Sequence, residues 1–207
     1  IFLLFFSILL PQKDKKISLN IYDYDNPEWW SNYNNNGLNF TQSHISLSYE
    51  NIFDNYELLI NTHVSNEKII FAESYVSFSI AEVNKIKFGR YYRDFSTYLN
   101  DELSSGSMLI GINALPIPKI GLLGEYKIKK NNKFKFTYGI AHSVLEKNDI
   151  YNESPFIHEK FLYLIKKDNN YEYGFGFVHE AMWAGSTYLN GKFPSSFNDF
   201  LKIIISA

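Results

Sequence analysis

From Lys133 to Ala141 the chain alternates without a slip: Phe134, Phe136, Tyr138 and Ile140 stand between Lys133, Lys135, Thr137, Gly139 and Ala141. A period of two sends these sets to opposite faces of one extended strand. The same pattern returns in Tyr171, Tyr173, Phe175 and Phe177 against Glu172, Gly174 and Gly176, and in Ile45, Leu47 and Tyr49 against Ser46 and Ser48. Val76, Phe78 and Ile80 against Ser77 and Ser79 repeat it, as do Ile86 and Phe88 against Lys85 and Lys87. No segment reads with a helical period of 3.6. Strands are expected over 17–24, 38–49, 55–64, 68–80, 84–92, 107–114, 119–129, 132–142, 156–167, 170–181 and 200–206.

Polar clusters separate many of these runs: Asn34-Asn35-Asn36-Gly37, Asn51 to Asn55, Ser65-Asn66-Glu67, Lys130-Asn131-Asn132 and Asp168-Asn169-Asn170. Such clusters close hairpins, so consecutive strands are expected to be antiparallel neighbours. Longer irregular pieces at 25–36, 93–106, 143–155 and 182–199 are candidates for loops or plug elements. A soluble β-sandwich alternates too, but here one set is large and aromatic while the other is Gly, Ser, Lys and Glu. Tyr91, Tyr92, Tyr126, Tyr138 and Tyr163 lie near strand ends, where membrane barrels carry aromatic girdles. The expected fold is all-β: an antiparallel up-and-down meander forming part of a transmembrane outer-membrane β-barrel. About ten strands of a larger barrel cannot close at its curvature, so the sheet is expected to be open, with unpaired first and last strands.

The ends fit an incomplete chain. Residues Ile1 to Leu10 are apolar except for Ser7, too short for a membrane-spanning helix of about 20 residues but of signal-peptide core length. Residues 1–16 are read as the remnant of a signal peptide and leader, and 17–207 as a partial outer-membrane barrel domain. Aromatics make up 18% of the chain, but an AT-rich coding sequence alone enriches Tyr, Phe, Asn and Lys. The alternation therefore carries the membrane reading, and the expected location is the bacterial cell outer membrane. Net charge is -2 with no basic stripe, which removes the electrostatic footprint of a nucleic-acid binder. Cysteine is absent, so disulfides and thiolate metal sites are excluded.

Catalytic chemistry finds little foothold. There is no G-x-S-x-G, no H-E-x-x-H and no Gly-rich phosphate loop. Asp101 and Glu102 are adjacent carboxylates in a loop, where solvated charge is ordinary. Of five histidines, His158 and His179 each precede a glutamate, but adjacent strand residues face opposite sides, so neither dipeptide offers both groups to one ligand. A hydrogen-bonding role toward a lumen is the simpler reading. No enzyme activity, cofactor or metal is expected. Asp25-Asn26-Pro27-Glu28-Trp29-Trp30 places two indoles in a polar stretch, able to stack on sugar rings or to anchor a loop.

The most distinctive sequence is Gly89-Arg90-Tyr91-Tyr92-Arg93-Asp94, followed by the stretch from Ser104-Ser105-Gly106-Ser107 through Pro116-Ile117-Pro118-Lys119-Ile120-Gly121. With His158 to Tyr163 and Gly174 to Gly185, it resembles the capsule assembly Wzi family of outer-membrane barrels over about residues 73 to 185. The resemblance implies a large barrel that attaches capsular polysaccharide to the outer surface with lectin-like behaviour. It also implies a helical bundle near the N-terminus, although no amphipathic helix is read in this chain. The residues expected to bind polysaccharide or line the lumen are Trp29, Trp30, Arg90, Asn113, Glu125, His158, His179, Glu180 and Trp183. Arg90 shares the parity of Ile86 and Phe88, so it is expected either to snorkel at a girdle or to be turned inward by a bulge. Expected partners are capsular or exopolysaccharide and outer-membrane lipid. The alternative is a porin-like diffusion channel for small solutes.

Overall fold

The computed structural model describes residues 12–25, 38, 42–92, 114–128, 133–168 and 171–206. The chain divides into two compact units, Ile1–Phe78 with Gly89–Pro116, and Ser79–Phe88 with Ile117–Ala207. Antiparallel strands following one another in chain order build both.

In the first unit β1 (Gln12–Asp25), β2 (Gln42–Phe53) and β3 (Tyr56–Val64) pair as neighbours, and β3 then pairs both β4 (Ile69–Phe71) and β5 (Ser74–Ser79). The single strand expected over 68–80 is thus two pieces along one partner. Thr62 faces Phe71 and Leu59 faces Tyr75, so two residues of β3 oppose three, 72–74, on the other side. That extra residue is a β-bulge. Ser74 seals it, its hydroxyl accepting from the Asn61 N–H at 3.0 Å and donating to the Asn61 carbonyl at 3.2 Å. β1 begins at Gln12, inside the segment read as leader, because Lys15 and Lys16 take ladder positions opposite Asn51 and Glu50.

β6 (Asn84–Arg90) reaches a tight point at Gly89, whose φ of +131° is open only to glycine and where an added Cβ would collide with the Ser74 carbonyl. Gly89→Ala is expected to cost about 1–3 kcal/mol, read as a lower urea midpoint; an unchanged midpoint would show that this approach does not constrain the strand.

The second unit holds the most regular ladder: β7 (Pro118–Lys127), β8 (Phe134–Val144), β10 (Phe156–Lys167) and β11 (Glu172–Trp183). Their registers put Gly124 opposite Tyr138, Gly139 opposite Phe161 and Gly176 opposite Tyr163. At each pair a glycine Cβ would run into the facing aromatic ring. The rings cover bare backbone on the neighbouring strand, a device that holds register while letting a sheet curve. Turns at one end are short, with Asp168 N–H donating to Tyr171 carbonyl at 2.8 Å. At the other end the pieces read as loops at 143–155 and 182–199 meet: β9 (Tyr151–Glu153), β12 (Ser186–Thr187) and β13 (Gly191–Lys192) form a small sheet of their own. Gly185, at φ +72°, starts that excursion; a Cβ there would lie 2.7 Å from the Glu153 carbonyl oxygen.

The strand expected over 200–206 is a helix instead, α1 (Phe197–Ile205). Ser196 caps it: the Asp199 N–H donates to its hydroxyl at 3.2 Å, while the hydroxyl and N–H of Ser196 donate to the Asp199 carboxylate at 2.6 and 3.0 Å. This is a capping box, and the two bonds from Ser196 hold the Asp199 carboxyl below its ordinary range. Ser206, left-handed at φ 61°, ends the helix by donating to Ile203 and Lys202 carbonyls.

Both units show the same unusual partition. In the first, Ile17, Leu19, Ile21, Ile45 and Leu47 share one face and are exposed, Ile21 at 75%, while Ser46, His44 and His63 on the other face are buried. In the second, Leu122, Leu162, Leu164, Phe175 and Phe177 are exposed, Phe175 at 76%, while Lys119, Ser143 and Glu159 are buried opposite them. The buried face of the second unit also holds Ala141, Phe161 and Ile165. As expected of an open meander, among the described residues β1 pairs only with β2 and β11 only with β10. No described helix is long and apolar enough to cross a membrane.

Candidate functional site

Chemistry concentrates at the end of the second unit where the small sheet sits, and the ladder sorts it by parity. On the polar face Lys119 Nζ lies 3.0 Å from Glu159 Oε1, with the two side chains 1% and 5% exposed. Glu180 stands directly across from Glu159 on β11. Directly opposed side chains begin about 4.5–5.5 Å apart at Cβ, so the carboxylate that Lys119 pairs with has a second one beside it. Further along the same face Glu125 accepts from Lys135 at 3.2 Å and pairs with Lys127 at 3.4 Å. Lys133 and Asp168, 2.9 Å apart, close the far end.

The other face carries a row of imidazoles. His142 and His158 face each other across β8 and β10, ring centres 4.8 Å apart, and His179 follows at 5.9 Å from His158 on β11. His158 is 0% exposed, and neither ring nitrogen has a hydrogen-bond partner among the described residues. Trp183 lies between Phe156, 5.2 Å away, and Phe200 of α1, 5.1 Å away. Phe200 also packs on His142 at 5.5 Å. Lys160, on the same face, donates to the Ile203 carbonyl at 3.5 Å and to that of Ile204, where the carbonyls of the helix C-terminus carry partial negative charge.

The residues expected to act together are therefore divided. Glu125 and Glu180 lie on the polar face, as alternation implies. His158 and His179 do not join them: each occupies the apolar parity of its strand, one position from its glutamate, and His158 is fully buried with the His142 and His179 rings beside it. Trp183, also on this parity, is half-buried between Phe156 and Phe200. Arg90 turns to local structure, Nη1 donating to the Pro116 carbonyl at 3.1 Å. Trp29, Trp30 and Asn113 lie outside the described residues. Sequence reading missed Lys119 and Glu159 as partners. Parity places both on one face, but only the register, which runs Lys119 to Ser143 and Ser143 to Ile157, brings them within reach.

Among the described residues no three His, Cys, Asp or Glu stand where they could hold a metal ion. The arrangement can bind through ionic and hydrogen-bonding groups on one face and through apolar contact on the other. No protein-family model, curated protein or solved structure matches this chain.

Proposed function

We propose that this chain is part of the wall of an outer-membrane β-barrel that binds or anchors surface polysaccharide. The observation that carries the reading is the partition of the meander: aliphatic and aromatic side chains are exposed on one face, while His44, Ser46 and His63 in the first unit and Lys119, Ser143 and Glu159 in the second are buried on the other. In lipid that partition is stable, because hydrocarbon solvates the apolar face and the backbone groups of each inner strand are satisfied by its two neighbours. The polysaccharide part rests on the resemblance to the capsule assembly family, whose motif stretch 158–163 falls on β10 and whose stretch 174–185 falls, as far as Trp183, on its partner β11. A diffusion channel is the second reading, favoured by charges of both signs along the polar face at Glu125, Lys135, Lys119 and Glu159.

Each hydrogen bond to a sugar replaces one to water and nets only about 0.5–1.5 kcal/mol. Retention of a long polymer then depends on many repeats engaging at once. Deleting the gene is expected to leave polymer synthesis intact but to shift polymer from cells to medium. Trp29→Ala with Trp30→Ala should shift it only in part, and Trp183→Ala should act through barrel stability. The protein itself should sediment with outer-membrane fractions. Unchanged polymer retention with impaired uptake of small solutes would select the channel; recovery of the protein from soluble fractions would remove both readings.

A further inference from the structure

α1 carries more apolar surface than its contact with the sheet uses. At about 100° per residue, Phe197, Phe200, Leu201, Ile203, Ile204 and Ile205 sweep roughly 200° of the helix circumference, and Asn198, Asp199 and Lys202 fill the rest. Phe200 packs on His142 and Trp183, and the last turn is held by Lys160. Phe197, Leu201 and Ile205 follow at i, i+4 and i+8 on a second stripe, 75%, 44% and 71% exposed.

Two observations say what covers this stripe. The face of β10 and β11 on which α1 lies is the one whose Leu162, Leu164, Phe175 and Phe177 remain exposed, so helix stripe and sheet face belong to one apolar surface. The docking end also brings together Trp183, Phe156 and the Lys160 ammonium, the residue types that settle at the depth of lipid headgroups. A second protein copy is a poor fit. Nine residues make a helix about 14 Å long, and one three-residue stripe falls well short of the roughly 800 Å² per partner of a standard interface.

We propose that α1 is an interfacial helix, clipped to the sheet by Phe200 and Lys160, with Phe197, Leu201 and Ile205 set into the headgroup–acyl boundary of the bilayer. The proposal rests on the reading that the apolar sheet face borders lipid. Asn198, Asp199 and Lys202 then face water, and the helix would reach about 5–10 Å into the boundary layer.

The natural chain has no cysteine, so single nitroxide labels can be placed without background. Leu201→Cys and Ile205→Cys report the stripe, Asn198→Cys and Lys202→Cys the polar side, and Phe175→Cys the sheet. The full chain is reconstituted into phosphatidylcholine–phosphatidylglycerol vesicles, and label collisions with oxygen are compared with collisions with a water-soluble nickel chelate. The expected result is an oxygen-to-nickel ratio several-fold higher at 201 and 205 than at 198 and 202, with 175 also lipid-like. Water-like labels at 201 and 205 beside a lipid-like 175 would overturn the helix proposal and leave the barrel reading standing. Water-like labels at all five positions would overturn both. Dipolar broadening between labels at 201 would place a second copy on the stripe and overturn the lipid assignment.

Discussion

Lys119→Met is expected to destabilise the folded chain by about 3–5 kcal/mol, the usual cost of removing one member of a buried ion pair. The loss should exceed that of Glu159→Gln. Taking away the lysine leaves Glu159 beside Glu180, two carboxylates on directly opposed positions of β10 and β11, where like charges repel. Taking away the Glu159 charge leaves Lys119 with the Glu180 carboxylate still on the same face. The double variant Lys119→Met with Glu159→Leu should recover most of the loss, because a well-packed apolar pair can replace a buried ionic one at little cost. Urea titrations of the chain folded in detergent micelles give all three values. The claim that the lysine balances two acids fails if Glu159→Gln proves the more damaging single change, or if the double variant is as unstable as Lys119→Met.

The same cluster shows where sequence reading stops. Alternation located β8, β10 and β11 within a few residues, because period two is written locally and needs no partner. It also set Glu125 and Glu180 on one face. Register is not local: that Lys119 reaches Glu159, or that Tyr163 lies over Gly176, depends on how far each strand slides along the next. The bulge at 72–74 was hidden for a similar reason, since Ala72-Glu73-Ser74 interrupts the alternation by a single residue and its pairing with β3 alone reveals it. Helix α1 was legible and missed. Ile203-Ile204-Ile205 suggests a strand by β-branching, but Ser196 and Asp199 spell a capping box, and Phe197, Phe200, Leu201 and Ile204 keep helical spacing. Segments 143–155 and 182–199, read as candidates for loops or plug elements, emerge from neighbouring strands, and only the fold shows that they pair with each other.

Leu162→Arg tests the central claim about the environment of the apolar face. Leu162 sits midway along β10, about half exposed, between Tyr138 on β8 and Phe177 on β11. If that face meets water, an arginine there gains solvation, loses modest packing, and should change stability by no more than about 0.5 kcal/mol. If it meets hydrocarbon at mid-membrane, the guanidinium costs about 2–4 kcal/mol, a fall of roughly 30- to 1000-fold in the folding constant. The same substitution at Phe156, beside Trp183 at the strand end, should cost far less from lipid exposure, because an interfacial arginine reaches the headgroups. The expected pattern is therefore a depth profile, steep at 162 and shallow at 156, measured by urea titration of vesicle-folded protein. A flat profile with both changes near zero would place the apolar face in water and withdraw the membrane reading, and with it the anchoring function and the interfacial helix.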